Sequence, residues 1–317
     1  MKEIGGYFEL ELRQHDEFMH SDGILLNSGR HALEYIIKTR MELPVAVWVP
    51  DYTCNVVLQP LQRLGVKVKR YKISADLDFE FFEIGKGEII IVNNYFGIKD
   101  SFIKAAFGYY GENMIADNSQ AWYSPHIPGA SEFYSPRKFF GLPDGGVAYC
   151  NEDKSVALSK DISFGRCSHL LERLDGETSL GYKTFKENSS ILSNEELKGM
   201  SRLTKALLSS VDFEAVRSVR RRNYDYLRRN LQSSNILETP SVTDIECPMV
   251  YPYRTKDSLL RKRLIDNKVF VATYWPDVSN HKLSDSESEQ LSDEIIPLPI
   301  DQRYGEVDMQ RIVSIIS

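Results

Sequence analysis

The feature that most constrains this chain is an acid at the end of a short apolar run, followed by a lysine on a bend. Residues 114–116 (Met-Ile-Ala) predict a buried strand that delivers Asp117. A buried carboxylate is costly unless a cation meets it. Lys138 follows Ser135 in a Ser-x-x-Lys arrangement, on a bend marked by a proline and a glycine. An acid and a lysine brought together are what a pyridoxal phosphate site requires, although such a pair alone is also typical of ordinary surface charges.

Short apolar runs and helical patterns alternate through the first half of the chain. The most strongly apolar run is 88–93 (Glu-Ile-Ile-Ile-Val-Asn), which predicts a strand buried on both faces. The alternation predicts βαβ units and an α/β fold with a mainly parallel sheet. Ligands of such sheets bind beyond the carboxyl ends of the strands. Ser28, Tyr52, Tyr95 and Asp117 all fall at predicted strand ends.

A predicted helix after Ser28 is a candidate anion site. Its apolar residues Leu33, Ile36 and Ile37 share one face, and Asn27 or Ser28 can cap its first turn. The free amides and the dipole of such a helix start attract anions. Taken alone, a Ser-Gly pair of this kind is more often an ordinary helix cap.

The character of the sequence divides it into three parts. Residues 1–22 predict an N-terminal arm, in which the alternation at 7–12 suggests an edge strand. Residues 23–208 predict a large cofactor-binding domain. Residues 209–317 predict a small C-terminal α+β domain.

Four local expectations follow for the second half of the chain. Residues 151–190 are polar and are expected to be loop-like, and a capping box at Ser193 predicts a helix to about residue 208. Asp212 is expected to cap a long helix to about residue 231. The run 269–275 predicts a strand that ends at Trp275. Trp275 is a candidate for the wall of a substrate site, although the apolar run favours a place in the core.

The composition excludes several classes of protein. The net charge of −6 argues against a nucleic-acid binder. The four cysteines show no metal-ligand spacing, so no metal site is predicted, and they are expected to be reduced thiols. No signal peptide and no apolar run long enough to span a membrane is present in this sequence. We therefore expect a cytoplasmic protein that acts on small molecules.

The order of short motifs resembles that of the DegT/DnrJ/StrS sugar aminotransferases, which are fold-type-I pyridoxal phosphate enzymes. No single motif is specific, but together they cover most of the chain in one consistent order. They are 27–33 (Asn-Ser-Gly-Arg-His-Ala-Leu), 50–54 (Pro-Asp-Tyr-Thr-Cys), 92–97 (Val-Asn-Asn-Tyr-Phe-Gly), 117–121 (Asp-Asn-Ser-Gln-Ala), 135–138 (Ser-Pro-Arg-Lys), 144–146 (Asp-Gly-Gly) and 298–300 (Leu-Pro-Ile).

This resemblance implies a role for each matching residue. Lys138 would carry the cofactor covalently and move a proton between substrate and cofactor, and Asp117 would pair with the pyridine nitrogen. Gln120 would lie near the ring hydroxyl. The other implied contacts are Ser28, Gly29, Arg30 and Ser135 to the phosphate, and Tyr52 or Cys54 to the face of the ring.

The resemblance also implies a reaction. The expected activity is transfer of an amino group, with glutamate as the donor, to a nucleotide-linked keto-sugar in polysaccharide or secondary-metabolite biosynthesis. One alternative keeps the cofactor but makes the protein a lyase, a decarboxylase or an aminotransferase of a non-sugar ketone. Another is a catalytically silent binding protein of the same fold. A homodimer is expected by the same analogy.

Overall fold

A computed structural model describes residues 4–13, 15, 17–151, 154, 156–176, 180–280 and 283–317. Seven strands form one sheet in the order β1-β7-β6-β5-β4-β2-β3. Strands β2 to β6 run parallel to their neighbours, whereas β7 is antiparallel to both β6 and β1. The predicted α/β fold with a mainly parallel sheet is therefore confirmed. The strands are β1 (Ile24–Leu26), β2 (Ala46–Pro50), β3 (Lys67–Tyr71), β4 (Glu88–Asn93), β5 (Met114–Asn118), β6 (Ser131–Tyr134) and β7 (Gly146–Tyr149).

Apolar side chains cover both faces of this sheet. All six residues of β4 are buried, because successive side chains of a strand point to opposite faces and both faces are packed. Ile89 and Ile91 join one core with helix α1 (Gly29–Lys38), while Ile90 and Val92 join a second core with helix α3 (Asp100–Tyr110). The short helix α2 (Leu58–Arg63) follows β2. These layers fix the strand ends in space.

The second half of the chain is mainly helical and carries a small sheet of two antiparallel strands. The longest of its helices, α7, begins after Asp212, whose side chain accepts a hydrogen bond from the Ala215 amide at 2.9 Å, as predicted. No helix in the described ranges is both long and apolar enough to cross a bilayer. The elements are α4 (Ser168–Asp175), α5 (Tyr182–Asn194), α6 (Arg202–Ser209), α7 (Phe213–Leu231), β8 (Tyr251–Arg254), α8 (Leu260–Asp266), α9 (Ser288–Glu294), β9 (Ile295–Leu298) and α10 (Glu306–Ile316).

Helix α7 connects the two halves next to residues 135–141, the lysine loop, which carries Lys138. The fully buried Arg220 guanidinium donates to the carbonyl oxygens of Phe139, at 3.3 Å, and Met249, at 3.0 Å. The Met249 amide in turn donates to the Phe96 carbonyl at 2.8 Å. These bonds anchor the residue that follows Lys138. The predicted division into domains between residues 208 and 209 falls at the last residue of α6 and stays a prediction.

Four local expectations were wrong. Residues 7–12 form no strand, and residues 269–275 follow α8 without forming one. Two helices, α4 and α5, lie in the segment expected to be loop-like. Ser193 lies near the end of α5 and does not begin a helix. The next helix is α6, and Ser201 caps it. Ser201 caps α6 because its hydroxyl accepts a hydrogen bond from the Thr204 amide at 3.1 Å.

Candidate active site

A cavity of about 270 Å³ lies where the central strands end. Asn93 ends β4, Asp117 lies near the end of β5, and Thr53 follows β2, so three neighbouring strands each supply a polar side chain. The start of α1 and the lysine loop complete the wall. This is the place where the sheet topology predicts a ligand.

The structure brings eight of the nine predicted site residues to this cavity. Tyr52 is the exception: its side chain is buried in the core, its hydroxyl donates to the Leu291 carbonyl at 3.4 Å, and its ring meets Trp275 edge to face at 4.5 Å. A buried Tyr52 cannot cover the face of a ligand in the cavity, so Cys54 is the candidate on that wall. The eight residues are Ser28, Gly29, Arg30, Cys54, Asp117, Gln120, Ser135 and Lys138.

Asp117 is a buried carboxylate whose local partners are few. It pairs in register with Asn93 of β4 and Phe133 of β6, which place it in the centre of the sheet. Its Oδ1 accepts the Ser119 amide at 2.8 Å. Burial raises the pKa of Asp117, while the Ser119 bonds and the positive charge of Lys138 oppose that rise. A cation inside the cavity would therefore stabilise the ionised form of this acid.

Two buried polar atoms on the cavity wall lack a partner in the described chain. Gln120 accepts the Phe96 amide on Oε1 at 2.9 Å, but its Nε2 has no hydrogen bond. Asn93 donates from Nδ2 to Thr53 Oγ1 at 2.9 Å, and its Oδ1 has none. Buried polar groups are rarely left unsatisfied. A free donor and a free acceptor on one wall indicate a polar ligand.

The start of α1 lies against the lysine loop and against Gly146, the first residue of β7. A Cβ atom added to Gly29 would meet the Ser135 Cβ at 3.2 Å, and one added to Gly146 would lie 2.2 Å from the Ser28 carbonyl oxygen. Only glycine allows these backbone segments to approach so closely. The first backbone bond of the helix runs from the Ala32 amide to the Ser28 carbonyl, so the Gly29 and Arg30 amides precede it. Free amides at a helix start are suited to an anion, and the anion site itself stays a prediction.

His31 fixes this helix start from inside the core. It is fully buried; its Nε2 donates to the Glu195 carbonyl at 3.0 Å, and its Nδ1 accepts from the Ser28 hydroxyl at 2.9 Å. These two contacts fit the neutral ring with its proton on Nε2. Burial lowers the pKa of His31 to about 4, and the charge of Arg63 acts in the same direction.

The neutral His31 predicts an acid-dependent loss of stability. The unfolded histidine binds a proton below about pH 6.5, whereas the folded one resists until about pH 4, so the free energy of unfolding falls as pH falls through this window. Between about pH 7 and about pH 5 this group alone removes roughly 2 kcal/mol. Urea unfolding of cofactor-free wild type and His31→Gln at both pH values measures the difference. Equal losses in the two proteins would refute the assignment.

Lys138 is the most exposed member of the site. It ends the short turn Pro136–Lys138, and its amide donates to the Ser135 carbonyl at 3.3 Å. In the described residues its ammonium group makes no ion pair. It lines both the small cavity and a larger neighbouring groove of about 950 Å³. An amine at the junction of two cavities can meet a group bound in either.

Sequence reasoning missed several wall residues. Asn93 could have been found, since it ends the most apolar strand, but its polar side chain was not singled out. Trp275 is half-buried on the cavity wall with a left-handed φ of 53°, rare for a bulky residue, instead of lying in a core strand. Phe185 and Ser189 reach the wall from α5, whose existence was not predicted.

Comparisons with known proteins place the fold. No protein-family model matches the sequence, and no curated protein matches it. The structure is similar to the sugar aminotransferase CalS13 from Micromonospora echinospora, with 16% identity, a TM-score of 0.63, and coverage of 92% of this chain and 86% of that one. It is similar to a DegT DnrJ EryC1 StrS aminotransferase from Brucella abortus, with 16% identity, a TM-score of 0.61, and coverage of 92% and 84%. It is also similar to NtdA from Bacillus subtilis, solved with bound cofactor PMP, with 14% identity, a TM-score of 0.66, and coverage of 92% and 72%. At this level of identity the likeness shows a shared fold, which is the fold that the motif order implies.

Proposed function

We propose that this protein is a pyridoxal phosphate-dependent aminotransferase. The observation that carries the proposal is that Asp117, from strand β5, and Lys138, from the turn after β6, line one cavity and interact electrostatically. An acid for a pyridine nitrogen and an amine for an aldehyde are the two groups that this cofactor needs from a protein. The shared fold with sugar aminotransferases agrees with this proposal.

The residues of the cavity fit the cofactor. Lys138 would bind its aldehyde covalently, and Asp117 would pair with its ring nitrogen. The unpaired Nε2 of Gln120 is a suitable donor to the ring hydroxyl. The amides at the start of α1 and the Ser135 hydroxyl suit its phosphate. Cys54 lies on the same wall and can contact the face of the ring.

The bound cofactor would supply a protonated ring that accepts the electrons of a broken carbon–hydrogen bond. The remaining work falls to the chain. The Asp117 carboxylate keeps a positive charge on the ring nitrogen, because a buried anion is most stable next to a cation. The Lys138 amine, once free of the cofactor, would take the proton from the substrate carbon that bears the nitrogen and pass it to the cofactor's aldehyde carbon. Burial of Asp117 by the surrounding strands strengthens its charge interactions.

The substrates are proposed from the neighbours and from space. Glutamate as amino donor and a nucleotide-linked keto-sugar as acceptor follow from the resemblance to sugar aminotransferases. The groove of about 950 Å³ next to Lys138 has room for a large acceptor. Polysaccharide or secondary-metabolite biosynthesis is the setting that this substrate class implies.

We also propose a homodimer. Apolar residues are exposed along the segment that borders the groove. Between 61% and 81% of the surface of each is accessible for Ile162, Phe164, Leu174 and Leu180. A segment that exposes several large apolar side chains is expected to bury them against a partner. Sedimentation of the cofactor-loaded protein tests this association.

The reaction itself is tested by its first half. Loaded protein mixed with glutamate is expected to lose the near-visible absorption of the lysine-bound cofactor and to release 2-oxoglutarate once, in an amount equal to the bound cofactor. A second release should require a keto acceptor. Catalytic release of carbon dioxide or ammonia from any amino acid would replace the transferase by the lyase alternative. Covalent cofactor that no amino acid converts would indicate the catalytically silent protein.

A further inference from the structure

Two arginines line the end of the cavity where α1 begins. Arg30 lies in the first turn of α1, and Arg137 precedes Lys138 in the lysine loop. The contact of Gly29 with Ser135 joins these two segments directly, since a Cβ at Gly29 would lie only 3.2 Å from the Ser135 Cβ. Both side chains are half-buried. The cavity therefore carries two guanidinium groups beside a helix start.

In the described part of the chain neither guanidinium forms an ion pair. Arg30 donates to the neutral Gln59 Oε1 at 2.7 Å, and Arg137 donates from Nε to the Leu142 carbonyl at 3.4 Å. The nearest acidic influence on Arg137 is Asp144, whose carboxylate accepts hydrogen bonds from Ser201. The terminal nitrogens of Arg137 thus remain available to a ligand.

The three arginines that are buried in the described chain each have partners within it. Arg166 pairs with Asp161, and Arg254 pairs with Glu294 at 2.7 Å. Arg220 uses all three of its nitrogens on carbonyl and amide oxygens. A partly buried cation without a counterion is costly, and two of them facing one cavity are more so. Arg220 also lacks a counterion, but all three of its nitrogens have acceptors, whereas Arg30 and Arg137 each make one side-chain hydrogen bond in the described chain and line a cavity that an anion could enter.

The electrostatics of Arg137 agree with this geometry. Burial and, to a smaller extent, the positive charge of Arg30 lower the pKa of Arg137 to about 10. The group is still charged at neutral pH, so the cavity holds two positive charges that repel each other next to the positive end of a helix dipole. A dianion offsets the two guanidinium charges and the positive end of the helix, whereas a monoanionic carboxylate offsets them less.

We propose that Arg137 binds the phosphate of the cofactor together with Arg30, so that two guanidiniums of one chain hold the dianion at the start of α1. This inference rests on the proposed function, because it assigns a residue to the cofactor named there. Gln120 and Asn93 line the same cavity, and their unpaired polar atoms are suited to the ring of the cofactor. Arg137 is a binding residue in this assignment and takes no part in proton transfer.

The test compares ligands with and without the phosphate group on cofactor-free protein. Calorimetric titration with pyridoxal phosphate, pyridoxal and inorganic phosphate gives three dissociation constants for each variant. Arg137→Gln is expected to weaken pyridoxal phosphate and inorganic phosphate about 10- to 100-fold, as befits a lost charge-assisted hydrogen bond, and to leave pyridoxal unchanged. Arg137→Lys should recover part of the loss. Arg229→Gln, which removes an exposed arginine of α7 that lines neither the cavity nor the groove, is the matched control and should change none of the three.

Three results would overturn the assignment. Equal binding by wild type and Arg137→Gln would show that Arg137 makes no ligand contact, and an equal loss for pyridoxal and pyridoxal phosphate would show a structural role. A loss confined to glutamate or glutarate would show a substrate carboxylate site. The proposed function fails separately: phosphate binding that depends on Arg137, without any covalent cofactor on Lys138, would keep the anion site and remove the aminotransferase. Should Arg137→Gln not fold, Arg137→Lys decides by the same comparison.

Discussion

Lys138→Ala is expected to abolish covalent attachment of the cofactor and to slow the half-reaction with glutamate by on the order of 10²–10⁴-fold, the range for loss of a general acid–base group. Lys138 is the lysine on the cavity wall, and its charge acts on Asp117. Removing its amine removes both the attachment point and the proton carrier. Borohydride reduction of the loaded wild type followed by peptide mapping should place the cofactor on Lys138, and the variant should carry no label.

Two controls separate chemistry from folding. Lys104→Ala, on the exposed face of α3, should keep both the label and the rate. Small amines such as methylamine should restore part of the rate of Lys138→Ala, because a free amine can enter the cavity and carry the proton. A label on another lysine of the wild type would contradict the assignment, as would a variant that converts glutamate at the wild-type rate.

The parts of the fold that were predicted are those whose pattern is enforced by burial on both sides. Strand β4 has the predicted bounds because its side chains alternate between two cores, so each apolar residue is required. Helix α7 was predicted from Asp212, whose carboxylate caps it, and from an apolar stripe that packs on the core. In both elements local propensity and tertiary packing agree.

The parts that were missed are those whose apolar residues do not face the core. Helices α4 and α5 expose Leu174 and Phe185 at 81% and 45%, so their sequence carries no stripe that burial within this chain would dictate. The sequence at Ser193 fits a capping box, but a capping box forms only where a helix begins, and this serine lies inside α5. Pattern alone cannot distinguish the two cases.

The site shows the same contrast. Asp117, Gln120 and Lys138 were found because their motif order matches a family, and each of them lines the cavity. The place of Trp275 depends on how the segment after α8 turns back over the cavity, with a positive φ that no local pattern specifies. Its contribution was set by tertiary contacts with Tyr52 and Tyr95, at 4.5 and 5.7 Å between ring centres.

Asp117→Asn is expected to retain weakened cofactor binding and to lose the glutamate half-reaction. The substitution keeps the shape of the side chain and an oxygen for the Ser119 amide, but it removes the buried negative charge. Breaking a buried charge pair costs about 3–5 kcal/mol, which corresponds to roughly 10²–10⁴-fold in rate. Stopped-flow absorbance after addition of glutamate measures the loss, and Asp117→Glu should recover part of it if the longer side chain reaches the ring nitrogen.

A cofactor analogue with carbon in place of the ring nitrogen isolates the charge pair. With that analogue there is no positive charge for the carboxylate to meet, so wild type and Asp117→Asn should react equally slowly. Glu132→Gln, which removes a different buried carboxylate that does not line the cavity, is the matched control and should leave the rate with the natural cofactor unchanged. An Asp117→Asn protein that reacts at the wild-type rate with the natural cofactor would show that the acid does not protonate the ring. The cofactor would then react without help from the charge of Asp117, and the role proposed for this acid would fail.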